Sequence, residues 1–202
     1  MRAKICGITS LDDALFAVKH GAWALGFNFY KASARYLNYI NAQEIIKLLP
    51  AFVIKVGVFV DVSDSVIEEA LVKLNLDYAQ VYTHKNRSKQ LMSKMILSLN
   101  ANEEKDLPNL KVLRLYGAIL MDAPLADDFL KGGTGRLANW SLSAKLSKKV
   151  RLILAGGLNH MNVKSAITQV KPYAVDVASG VETAGVKDKS KLKAFLETCH
   201  AQ

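Results

Sequence analysis

RLILAGGLNHMNVKSAITQVKPYAVDVASG, residues 151–180, decides the fold. It opens on an apolar run, Leu152-Ile153-Leu154, that ends at Gly156-Gly157, and it closes on a second run, Ala174 to Val177, that ends at Ser179-Gly180. Between them residues 161–170 carry apolar positions at helical spacing. Strand, crossover helix and strand make a βαβ unit, whose two strands must be parallel. Working outward, short apolar and β-branched runs keep alternating with amphipathic stretches, the pattern of a parallel sheet covered on both faces. Strands are expected at 4–6, 24–27, 53–59, 78–81, 95–99, 118–121, 152–154 and 174–177. Helices are expected at 11–19, 42–48, 65–74, 142–148, 161–170 and 189–199, with a short one after Asn86 and another near Glu103; Ser10, Asn41, Ser63 and Asp188 read as N-caps. Between Thr83 and Tyr116 the chain is short for its elements, so a degenerate helix is expected there. Eight βα units close naturally into a barrel, whereas an open doubly wound sheet has fewer strands and a nucleotide fingerprint after the first, which is missing. The expected fold is an α/β (β/α)8 TIM barrel, a single domain over residues 1–202.

The chain has 202 residues, half of them hydrophobic, in line with one soluble domain. Its longest apolar stretch, Ala51 to Val62, is broken by Lys55 and Asp61 and is too short to span a bilayer. No apolar leader precedes the first strand, so a cytoplasmic location is expected. Lys and Arg number 27 against 18 Asp and Glu, a formal charge of +9 that favours anionic partners. The basic residues are scattered and no nucleic-acid motif accompanies them, which favours a phosphorylated small molecule over nucleic acid or membrane. Cys6 and Cys199 stand near opposite ends of the sequence, and His20, His84, His160 and His200 share no ligand spacing; neither set forms a disulfide framework or a metal site. Cys199 reads as packing. No cofactor is expected, and protein partners are not legible.

In a barrel of this kind chemistry sits at the C-terminal ends of the strands. Those positions are Cys6-Gly7, Asn28 to Tyr36, Asp61, Tyr82, Asp122, Gly156-Gly157 and Ser179-Gly180. Glycines after strand seven and a Ser-Gly after strand eight match the barrel phosphate site, in which backbone N–H groups approach an anion that any side chain would block. Tight βα turns alone would also use these glycines. Cys6 ends a strand at the mouth, where nearby positive charge or helix N-termini would activate a thiol; a small core residue is the plainer alternative. Asp122 follows the most apolar strand end, Ala118 to Met121, though a turn or cap role would also suit it. Together, Cys6 and Asp122 form a base and acid pair for proton transfer.

Seven blocks, in order and at matching spacing, are similar to phosphoribosylanthranilate isomerases of tryptophan biosynthesis. They are Lys4-Ile5-Cys6-Gly7-Ile8-Thr9, Gly26-Phe27 with Ser33 to Tyr36, Val56 to Val60, Leu120-Met121-Asp122, Gly132-Gly133-Thr134-Gly135 with Trp140, Leu154 to Asn159, and Asp176 to Glu182. The resemblance implies an Amadori rearrangement of N-(5-phosphoribosyl)anthranilate to 1-(o-carboxyphenylamino)-1-deoxyribulose 5-phosphate. It implies Cys6 as general base and Asp122 as general acid, with Arg35 meeting the anthranilate carboxylate and Gln80 and Asp176 in the substrate site. Asp176 is also the next candidate acid. The sequence departs from the family at Tyr82, where a histidine is usual, and at Ala34, where a proline is usual. Another phosphosugar barrel, such as an epimerase or an indole-glycerol-phosphate-synthase relative, is the alternative enzyme. A non-catalytic phosphosugar- or nucleic-acid-binding barrel is the alternative of a different class.

Overall fold

A computed structural model describes residues 1–84, 87–123 and 137–202. Eight parallel strands close on themselves: β1 (Arg2–Cys6), β2 (Ala24–Asn28), β3 (Ile54–Phe59), β4 (Tyr78–Val81), β5 (Met95–Leu99), β6 (Ala118–Met121), β7 (Leu152–Leu154) and β8 (Ala174–Val177), with β8 paired to β1. The helices around them are α1 (Leu11–Lys19), α2 (Tyr39–Lys47), α3 (Asp64–Lys73), α4 (Lys89–Ser93), α5 (Leu110–Leu113), α6 (Trp140–Ser147), α7 (Val163–Val170) and α8 (Lys189–His200). Among the described residues no helix is long and apolar enough to cross a membrane.

Ser10, Ser63 and Asp188 cap α1, α3 and α8 through their side-chain oxygens. Asn41 does not cap α2. Asn38 does, accepting from the Asn41 N–H at 2.8 Å, so the helix begins about a turn early. The helix expected near Glu103 is a single 3₁₀ turn, Glu104–Asp106, because Leu107 is extended ahead of Pro108. The degenerate stretch therefore runs from the short α4 to α5. The Gly132 to Gly135 block lies outside the described residues.

One element has no counterpart in the sequence reading. After β8 come a 3₁₀ turn, Ser179–Val181, and a two-stranded hairpin, β9 (Glu182–Thr183) with β10 (Val186–Lys187). Its loop residues, Ala184 at φ 51° and Gly185 at φ 80°, are both left-handed, the requirement of a type I′ turn.

Strand side chains alternate in direction, so one set from each strand packs under the helices and the other fills the barrel. The first set includes Ala3, Ile5, Leu25, Phe27, Leu97 and Met121, all fully buried. The second forms its own cluster of Ala24, Val56, Ile96, Ala118, Leu120, Ile153 and Ala174. Read along β1 the inward positions are Arg2, Lys4 and Cys6; along β6 they are Ala118, Leu120 and Asp122. Apart from Arg2, whose guanidinium lies over Trp23 and Tyr173, the barrel is thus apolar toward its N-terminal end and polar at its mouth.

Candidate active site

Cys6 closes β1 opposite Gly26 of β2. A Cβ on Gly26 would stand 2.9 Å from the Cys6 sulfur and 3.1 Å from the Lys4 ammonium, so thiol and ammonium share the space that this glycine leaves open. Lys4 lies two residues before Cys6 and faces the same way. It is 1% exposed and donates to Asp176 at 2.8 Å and to Gln80 at 3.1 Å. Asp176 is its register partner on β8. Burial works to lower the Lys4 ammonium, but Asp176 and Cys6 outweigh it and hold the charge in place. Gln80 completes the layer, donating from its amide nitrogen to the Tyr82 hydroxyl at 3.4 Å.

The Cys6 residue keeps part of its surface open, yet its surroundings are dense enough that burial raises the thiol above its ordinary value. Lys4 and Lys187 pull it down and Asp176 pushes it further up. The activating cations expected at the mouth are there, and burial outweighs them. Asp122 follows β6, its N–H bonded to the Leu99 carbonyl and its Oδ1 accepting from the Ala123 N–H at 2.7 Å. Burial pushes its carboxyl up to about 6, with Asp176 adding to the rise and the Ala123 N–H and Lys4 opposing it. Tyr82 is raised too, first by burial and then by Cys6, Asp122 and Asp176, which puts its phenol among the three acids.

A recess of about 40 Å³ joins the ends of β6, β7 and β8, and its walls include Asp122, Gly156, Gly157, Asp176, Ser179 and Gly180. Gly156 (φ 77°) and Gly157 (φ 62°) are left-handed, and a Cβ on Gly156 would meet the Ala123 nitrogen at 2.5 Å. A Cβ on Gly180 would run into the Leu158 carbonyl oxygen. The glycines thus serve the turns and the close approach of two loops at once. Asn162, which sequence reasoning passed over, ties the β7 loop down by donating to the Gly157 carbonyl at 2.9 Å.

Arg35 comes from the loop after β2, its backbone N–H held by Ser33 Oγ at 3.1 Å. Its methylenes cross over Gly7, where a Cβ would strike Arg35 Cδ. Its guanidinium is forked onto Glu182 of β9, Nε to Oε1 at 2.8 Å and Nη2 to Oε2 at 2.6 Å. Glu182 Oε1 also accepts from Lys187 of β10 at 2.6 Å. Sequence reasoning missed Lys4 and Lys187 as site residues and met Glu182 only inside a family block. The alternation along β1 pointed to Lys4, since it is in phase with Cys6. For the hairpin pair the only signal was Gly185.

Cys6, Lys4 and Asp176 thus gather on the β1–β8 side of the mouth, and Asp122 joins Asp176 and the glycines in the recess at the ends of β6, β7 and β8. Asp61 lies apart, beside Ile67 of α3. This fold and site define a (β/α)8-barrel isomerase of the kind that handles sugar phosphates. Residues 3–198 match the family model described as PRAI: N-(5'phosphoribosyl)anthranilate (PRA) isomerase. The chain is 42% identical over 196 residues to the N-(5'-phosphoribosyl)anthranilate isomerase of Syntrophus aciditrophicus, covering 96% of this chain and 84% of that one. The phosphoribosyl anthranilate isomerase structure from Thermotoga maritima is 37% identical with a TM-score of 0.86, and 100% of each chain is covered. A phosphoribosyl anthranilate isomerase structure in complex with reduced 1-(o-carboxyphenylamino)-1-deoxyribulose 5-phosphate is 36% identical with a TM-score of 0.84, again over 100% of each. The chain belongs to the N-(5'-phosphoribosyl)anthranilate isomerase family. It is an isomerase of tryptophan biosynthesis that converts N-(5-phosphoribosyl)anthranilate to 1-(o-carboxyphenylamino)-1-deoxyribulose 5-phosphate.

Proposed function

We propose that this mouth performs the rearrangement with Asp122 as general acid and Cys6 as general base, in a single-domain cytoplasmic enzyme whose partner is a phosphorylated small molecule. The Asp122 carboxyl gives its proton to the furanose ring oxygen as the bond from that oxygen to C1 breaks, and the nitrogen lone pair forms the Schiff base. The Cys6 thiolate then takes the C2 proton; the electron pair moves into the imine and leaves an enolamine, which tautomerises to the ketose. The phosphate is held by backbone at Gly156, Gly157, Ser179 and Gly180. Arg35 meets the anthranilate carboxylate, as its planar fork suits. Gln80 and Asp176 take the sugar side of the site, with Lys4 fixing both. A bound product analogue in a relative, the reduced 1-(o-carboxyphenylamino)-1-deoxyribulose 5-phosphate, supports a phosphorylated ligand here.

The observation that carries this reading is a buried carboxyl raised to about 6 in the same recess as the phosphate glycines, at a mouth that also holds a thiol beside an ammonium. A carboxyl at about 6 is still protonated in about a tenth of molecules at pH 7. The thiol titrates above its ordinary range, so the carboxyl ionises first, the opposite of the protonation that catalysis needs. The working form, carboxylic acid with thiolate, has the same number of protons as the prevailing form, carboxylate with thiol. Below about pH 6 both groups are protonated and no base exists; above the thiol's pKa both are ionised and no acid exists. The expected kcat/KM profile, followed by loss of substrate fluorescence, is a bell with its acidic limb near pH 6. Cys6→Ser should lower kcat by about 10²-fold or more with KM nearly unchanged, because a hydroxyl is far too weak a base. A profile that only rises through the thiol range, or a serine variant that keeps a tenth of the wild-type kcat, would overturn the assignment.

A further inference from the structure

An arginine guanidinium has five N–H donors on a rigid plane, arranged as a side edge, Nε with one Nη, and an end-on edge shared by the two Nη atoms. In Arg35 the side edge is taken by Glu182, and among the described residues its end-on edge has no hydrogen-bond partner. The guanidinium lies within electrostatic reach of Cys6 and Tyr82.

Glu182 is itself held from the other side. It stands directly across the hairpin from Lys187, a cross-strand pair of opposite charge, and the Lys187 ammonium reaches both Glu182 Oε1 at 2.6 Å and the Ala178 carbonyl at 3.1 Å. The Glu182 and Lys187 side chains are 5% and 2% exposed, whereas that of Arg35 is 21% exposed. Two cations share one carboxylate, so the cluster carries a net charge of +1. A bare Arg35–Glu182 pair would be neutral and would give an incoming carboxylate little reason to stay.

We propose that Glu182 and Lys187 are positioning residues for carboxylate recognition: Glu182 turns the end-on edge of Arg35 toward the substrate, and Lys187 restores the positive charge that Glu182 would otherwise cancel. This rests on Arg35 as the contact for the anthranilate carboxylate. Recognition is then set by a hairpin on the opposite side of the barrel closure from the loop that carries the arginine. Burial works against the ionised Glu182, and its hydrogen bonds from Arg35 and Lys187 outweigh that and hold its carboxyl below the ordinary range, so it stays charged wherever the enzyme works.

The test compares N-(5-phosphoribosyl)anthranilate with N-(5-phosphoribosyl)aniline, the same molecule without the carboxylate, in four variants. Lys187→Met removes one positive charge and should raise KM for the carboxylate substrate about tenfold. Glu182→Gln adds one net positive charge yet unforks the arginine, and KM should rise about fivefold; if the cluster supplied charge alone, KM would fall. The double variant leaves no orphan charge in the buried pair and returns the cluster to +1, which makes it the folded control if a single variant melts. Its KM should stay raised about fivefold, because the fork is gone. In Glu182→Gln kcat should stay within twofold. The two variants without Lys187 lose a cation that lowers the Cys6 thiol, so their kcat should fall alike for both compounds. In all three, KM for the aniline compound should not move. Equal rises for both compounds, a fall in kcat alone, or an unchanged KM would overturn the proposal. Arg35→Met separates the two layers. If it leaves the preference for the carboxylate substrate intact, the contact assignment has failed; if it erases the preference while the hairpin variants do not, only the positioning role has failed.

Discussion

The two ends of the barrel interior are made from the same eight strands in one register, and they hold opposite kinds of residue. Toward the N-terminal end, Ala24, Val56, Ile96, Ala118, Ile153 and Ala174 pack together, with Trp23, Tyr78 and Tyr173 against them around a cavity of about 190 Å³. Nearer the mouth the inward positions include Lys4, Gln80 and Asp176, all buried, and, four residues past Ala118, the partly exposed Asp122, together a layer of charge and amide. Burying such groups is unfavourable unless each is paired, and here the pairing is uneven: Lys4 and Asp176 satisfy one another, while among the described residues the Asp122 carboxyl accepts from one backbone N–H and has a raised pKa. The difference teaches that position along a strand, rather than the strand itself, separates stability from catalysis in this fold.

The sharpest way to break that division is Asp122→Asn. At the mouth it should lower kcat by about 10²-fold or more, since the amide has no proton to give the ring oxygen. It should also stabilise the protein. The folded pKa of about 6 lies above the ordinary 3.8, so the ionised carboxylate destabilises the fold; that effect is complete above pH 6 and gone below about pH 4. Allowing for its partial exposure, the relief is worth about 1–2 kcal/mol at pH 8. Melting wild type and variant at pH 8 and pH 4 checks the sign, and a variant that is less stable at pH 8 would make Asp122 a structural residue. The complementary change is Ile96→Ala at the other end, on a strand whose mouth end supplies no site residue. It should cost about 2–4 kcal/mol of stability, because the side chain lines an existing cavity that the truncation enlarges. Turnover at a temperature where the variant is folded should stay within twofold. A large loss of kcat there would mean that the two ends are coupled.

The same division explains what the sequence disclosed. Strands β4 to β8 were readable to the residue because they are buried on both faces and each is a short, mostly apolar run. Cys6, Asp122 and the glycines were readable because a βα unit assigns its strand end to the mouth. Lys4 was hidden inside an apolar-looking strand; only the closed register, which sets it beside Asp176, gives a lysine there a reason. The early start of α2 was ambiguous because Asn38 and Asn41 are both good caps, and the choice between them is made by the docking of Ala42, Ile45 and Ile46 on the barrel. The β9–β10 hairpin was the least legible element. Its strands are two residues long, its turn uses alanine where asparagine or glycine is usual, and its partners come from distant parts of the sequence.

That alanine offers the smallest test. Ala184 is exposed and sits at φ 51°, a conformation in which its Cβ crowds the following carbonyl, and it precedes Gly185 in a turn that favours Asn-Gly. Replacing it with Asn keeps the left-handed geometry and lowers its cost, so a gain of about 0.5 kcal/mol is expected. For a chain of this size that is a rise in melting temperature of about 1–2 °C. The interest lies in what should not change. The turn joins Glu182 to Lys187, so a hairpin already rigid in the wild type will take the stabilisation without any effect on KM, as a preorganised mouth requires. A KM for N-(5-phosphoribosyl)anthranilate that falls along with the gain in stability would show instead that the hairpin samples open states between turnovers, and that the polar end of the barrel is held together less firmly than its buried ion pairs imply.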